Sequence, residues 1–181
     1  MRRVVTGHDS EGRSVIVSDG EPPRGHAYKG FPGFVFTLAG ATEPGHDVNT
    51  HGVDVTTSVT SLVPHPGGGT RLLIMSIPPD SHMERPDFDG PLFGAEQLEH
   101  GPGLAELFEP DAPGMHTTPT VDYTIVLEGE IWLEVDDGQA TRLEAGDVVV
   151  QNATRHAWRN KSDAVATIAA ILVGATRDAA Q

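Results

Sequence analysis

From residue 116 onward the chain is written in short segments of period two. Ile131, Leu133 and Val135 alternate with Trp132, Glu134 and Asp136, and such alternation marks a strand with one buried face. Residues 123–127 are β-branched and aromatic, Glu128-Gly129-Glu130 is a turn, and Asp136-Asp137-Gly138 is a hairpin signal. Thr141-Arg142-Leu143, the turn Glu144-Ala145-Gly146-Asp147, and strands at 148–151, 157–159 and 164–173 follow. Strands this short and this evenly spaced predict an all-β sandwich or barrel. The 21 glycines and 14 prolines suit many turns rather than helices.

Upstream the pattern is looser. Residues 3–20 read as a hairpin, in which Arg3-Val4-Val5 and Ser14-Val15-Ile16-Val17 flank a turn-rich stretch. Residues 21–33 read as loop, 34–38 as a short strand and 39–56 as irregular. Two further strands are expected at 57–63 and 70–77, around Pro64-His65-Pro66-Gly67-Gly68-Gly69. Residues 80–114 are the least regular part, with one short helix expected within 95–108. An insert this long in a compact domain is usually functional, and its position just before the chemistry predicts a lid. Residues 1–113 are thus read as N-terminal strands and lid completing a barrel, 114–174 as its core and 175–181 as a tail, in one structural domain.

Charge and composition narrow the function. Twelve basic residues stand against 26 acidic ones, a net charge of -14. A surface this acidic repels phosphate backbones and anionic lipid, so neither nucleic acid nor membrane is expected as a partner. With no cysteine, disulfides, thiolate metal sites and cysteine nucleophiles are excluded. The start, MRRVVTGHDSEGRS, has no apolar segment of a secretory leader, and no run approaches ~18 apolar residues, so a cytoplasmic location is expected. The glycines at 67–69 lack a following Lys-Ser/Thr and helix and are read as a turn, not a phosphate loop.

Residues 114–160 resemble the two signature segments of cupins. His116 stands at the first histidine of the first segment, Asp122 at its glutamate, and Gly129 follows after six residues. Gly146 opens the second segment, and His156 and Asn160 close it at the expected spacing. Thr118 stands where a second histidine is usual, and Asn152 and Ala153 where Pro-x-Gly is usual. The string is similar to a bacterial and fungal cupin subgroup that accompanies small-molecule catabolism and secondary metabolism. The resemblance implies a jelly-roll β-barrel with the site inside it.

Residues two apart on a strand share a face. That groups His116, Thr118 and Asp122 in one row, and His156, Trp158 and Asn160 in another. The resemblance implies that both rows look into one barrel. Two imidazoles and a carboxylate there are the ligand set of mononuclear Fe(II) sites, and Zn, Mn or Ni suit it as well. The alternative is a metal-free pocket in which His116, Asp122 and His156 act as general acid and base. Thr118, Tyr123, Trp158 and Asn160 are the expected pocket residues, Tyr123 for packing rather than catalysis. The expected function is a small-molecule enzyme performing a lyase or isomerase step. An Fe(II)-dependent dioxygenase and a non-catalytic small-ligand-binding cupin are the alternatives. Uncovered strand edges at the N-terminus predict a homodimer.

Overall fold

The computed structural model describes residues 1–48 and 54–176. Its strands are β1 (Arg3–His8), β2 (Ser14–Gly20), β3 (Arg24–Ala27), β4 (Val35–Thr42), β5 (Thr70–Ile77), β6 (Thr120–Glu128), β7 (Glu130–Glu134), β8 (Ala140–Glu144), β9 (Val148–Asn152), β10 (Ala157–Arg159) and β11 (Ala166–Gly174). One α-helix, α1, spans Gly90–His100. Six strands form an antiparallel sheet in the order β3-β4-β5-β11-β6-β9, and three form a second sheet, β10-β7-β8. The chain is all-β with a jelly-roll fold.

The alternation seen in the sequence sets which face is core. In β6, Thr120, Asp122, Thr124 and Val126 are buried, while Tyr123 and Leu127, at positions of the opposite parity, are exposed. Two apolar clusters result. One gathers Tyr28, Phe36, Leu38, Leu62, Leu73 and Leu172; the other gathers Ile77, Val126, Ile131, Leu143 and Ile168. The turn from β6 to β7 passes through Gly129 at φ 74°, where a Cβ would stand 2.8 Å from the Val165 carbonyl oxygen. Only glycine fits there. Ala153, where the motif's glycine is usual, keeps a left-handed backbone at φ 52°.

Three expectations upstream are corrected. The stretch read as loop at 21–33 contains β3, and β4 runs on to Thr42. Residues 57–63 form no strand. Their hydroxyls bond the local backbone instead: Thr57 Oγ1 donates to Asp54, Ser58 Oγ to Val55 and Ser61 Oγ to Val63. Such bonds compete with a ladder. The helix expected within 95–108 starts earlier, because Asp89 caps it by accepting the Leu92 N–H at 3.0 Å. The N-terminal hairpin forms as expected, and among the described residues it adds to no other sheet of the chain. β1 and β2 pair only with each other. Of the expected tail, residues 177–181 lie outside the described residues.

Candidate functional site

The two motif histidines are held by main-chain atoms. His116 and His156 form an isolated antiparallel bridge in which each amide donates to the other's carbonyl at 3.0 Å. Their rings stand 4.3 Å apart. Each ring is tied at Nδ1: His116 to the Gly114 carbonyl at 3.1 Å, and His156 to the Thr154 carbonyl at 2.9 Å. A carbonyl oxygen only accepts, so Nδ1 carries the hydrogen. The lone pair of each neutral imidazole is then at Nε2. Burial pushes the His116 imidazole below its ordinary value, against the Gly114 bond and the charge of Glu109. Burial, then His116, push His156 down to about 4. Both rings are neutral at pH 7.

Asp122 comes from β6, on the inner face of the large sheet. Thr118 Oγ1 donates to its Oδ2 at 3.5 Å, and Thr120 Oγ1 donates to Thr118 Oγ1 at 2.7 Å. Burial raises the Asp122 carboxyl, the threonine hydroxyls opposing it. Gln151 on β9 is its cross-strand partner. Asp122 is 5 % exposed and Gln151 4 %. Asp122 Oδ1 and Gln151 Nε2 are buried without a hydrogen-bond partner. An unmade buried hydrogen bond costs about 1–3 kcal/mol, so these two neighbouring side chains leave a donor and an acceptor open at the cavity. Sequence reasoning missed Gln151, which reads as the end of a valine strand; its inward parity in β9 was the available signal.

All of these side chains line one cavity of about 460 Å³, a volume suited to a small organic ligand. Phe31, Phe34, Phe88, Phe93, Phe108 and Trp158 are in its wall. Five of the chain's six phenylalanines are thus at the cavity. Segment 80–114 supplies much of this wall, as Met83, Phe88, Phe93, Leu104 and Phe108. The insert therefore lies over the site, where a lid is expected. His116, Asp122, His156, Thr118 and Trp158 are brought together here. Tyr123 and Asn160 are not. Tyr123 follows Asp122 on the same strand, so the pleat turns it outward, 45 % exposed. Asn160 lies past the end of β10 and is fully buried. Its amide donates to the carbonyls of Ile77 and Ala164, and its oxygen accepts from Ser162. It fastens a turn.

A cupin metal would need His116, His156 and Asp122 around one point. Among the described residues, no three His, Asp or Glu side chains stand close enough together to hold one ion. The residues present, in this arrangement, do not fit a three-ligand metal centre. They line one cavity as two imidazoles and a buried carboxyl.

Residues 106–173 match the family model for the cupin domain, Cupin_2. Two Diaporthe leptostromiformis proteins, phomopsin biosynthesis cluster proteins C' and D, are each 32 % identical over 167 residues, covering 88 % of this chain and 70 % of their own length. The Aspergillus ruber cupin-domain-containing oxidoreductase fogC is 27 % identical over 164 residues, 87 % of this chain and 63 % of its own. A putative ethanolamine utilization protein from Salmonella typhimurium is a solved structure with TM-score 0.43 and 11 % identity, covering 97 % of this chain and 98 % of that one. No helix among the described residues is long and apolar enough to cross a membrane. The matches support a cupin enzyme or small-ligand-binding protein. With the motif residues His116, Asp122 and His156 on the inside of a jelly roll, the chain belongs to the cupin superfamily.

Proposed function

We propose that this cupin takes an aromatic-bodied small organic molecule into its cavity and moves a proton on it, in a lyase or isomerase step. The observation that carries the reading is the pair of neutral imidazoles, each tied at Nδ1 and free to accept at Nε2, in one cavity with a buried carboxyl. One Nε2 takes a proton from a carbon next to a carbonyl. Asp122, which burial favours in its protonated form, gives a proton to the departing oxygen, or to the neighbouring carbon in an isomerisation. Gln151 donates to the carbonyl. Phe93, Phe108 and Trp158 hold the flat body of the ligand by offset and edge contacts.

The test needs no natural substrate. Phenylpyruvate and phenylacetone, incubated with the protein in D2O, are followed by proton NMR. Deuterium wash-in at the carbon beside the carbonyl is expected with the wild type, and a loss of at least about tenfold in His156→Ala and His116→Ala. Binding without wash-in, in every protein, would replace this reading by non-catalytic ligand binding. The oxidoreductase names of some relatives favour a second reading, an iron-dependent oxidation. About one equivalent of iron in protein purified without chelator or nickel resin would support it against ours.

A further inference from the structure

Gln151 is a buried polar side chain whose own hydrogen bonds are missing. Within β9 it alone is buried, and it lines the cavity as the cross-strand neighbour of Asp122. Among the described residues its carboxamide bonds to nothing. Other buried polar side chains of the chain are engaged. Asn160 uses its amide on Ile77, Ala164 and Ser162, and Glu96 accepts from Lys29 and Gly30. An unpaired amide in a cavity wall destabilises the empty protein, and a ligand that pairs with it recovers the loss.

We propose that Gln151 reads a cis-amide edge on the ligand of this cavity, the N–H and C=O that a lactam carries side by side. A glutamine carboxamide presents donor N–H and acceptor oxygen next to each other. Two parallel hydrogen bonds to it need an acceptor and a donor on the same side of the ligand. A trans secondary amide puts its N–H and C=O on opposite sides; a lactam, cis by ring closure, puts them together. A carboxylic acid offers the same pair only when protonated. As an anion it is repelled by a chain of net charge -14. Arg159, the one Lys or Arg among the described residues of the wall, is already paired with Glu134 at 2.7 Å. A flat lactam ring also suits the wall of Phe93, Phe108 and Trp158. With no bond to hold it, the Gln151 amide turns about its last torsion, which is broad and two-fold, and so meets the lactam in either sense. The inference rests on the proton-transfer reading in sharing its cavity and its carbonyl; the lactam N–H is the added contact.

The experiment uses the full chain and two probes. Oxindole carries the lactam edge on an aromatic body, and 2-indanone has the same shape with a methylene in place of the N–H. By titration calorimetry the wild type should bind oxindole at least about tenfold more tightly, because the ketone leaves the Gln151 oxygen unpaired. Gln151→Met, similar in length and without an amide, should erase that preference. Without ligand the same variant should melt at a higher temperature than the wild type, since it removes an unpaired buried amide. A lower melting temperature, or an oxindole preference that survives, would make Gln151 a structural residue and overturn the inference. Equal affinity of the wild type for the two probes, or binding of neither at millimolar concentration, would overturn it without any variant having to fold. Proton NMR of the same samples in D2O separates the two readings. Wash-in beside the carbonyl with no lactam preference keeps the proton transfer and rejects the lactam edge. Lactam preference with no wash-in does the opposite.

Discussion

His156 is the residue whose environment differs most usefully between folded and unfolded chains. Its imidazole titrates near 6.5 when exposed and about 4 in place. Between those values the unfolded chain binds a proton that the native one refuses, so stability rises with pH. The contribution is complete above about pH 6.5 and is lost as the pH falls toward 4, by about 3 kcal/mol in all. His116 acts in the same sense; Asp122, raised by burial, acts in the opposite one. Urea midpoints measured from pH 4 to pH 7 should therefore climb, and His156→Gln should flatten the slope. Spacing within the motifs was enough to find both histidines and Asp122, because the spacing encodes which strand and which side each occupies. Tyr123 and Asn160 were misplaced in the pocket for local reasons. The first is one residue out of phase with Asp122, and the second sits in a turn that its own side chain closes. The role of Gln151 depends on register with β6, which no local pattern prints.

Among the elements, α1 has the least sequence signature and the most specific anchorage. Its Glu96 is buried and accepts backbone N–H bonds from Lys29 and Gly30 at 2.9–3.1 Å, and it meets His26 Nε2 at 3.0 Å. Gly30 lets the helix come close: a Cβ there would lie 2.2 Å from the Phe93 nitrogen. This clasp helps fix Phe93 in the cavity wall. Glu96→Gln keeps the shape but gives up the charged acceptor, a loss of about 1.5–3 kcal/mol for bonds to a charged group. Amide exchange at Phe93 and Gly94 should quicken by tenfold or more while β6 and β11 keep their protection. Equal protection in the variant would mean that the aromatic packing of Phe93 against Phe31 and Phe34 holds the helix unaided. The helix was expected too late in the chain because Gly90-Pro91 reads as a breaker, whereas proline in the first turn is compatible with a helix start. The strand expected at 57–63 failed for a comparable reason, since its serines and threonines satisfy their own backbone.

On the scale of the molecule, a net charge of -14 makes the surface self-repelling at long range. The barrel itself was legible from alternation and turns. The placement of the N-terminal hairpin was not, because β1 and β2 carry the same pattern as a sheet edge but find their partners only in each other. The reciprocal amide–carbonyl pair between residues 116 and 156 is made by atoms that every amino acid except proline supplies. It is a socket, and because main-chain atoms make it, either imidazole can be replaced without unmaking the bridge that shapes the chamber.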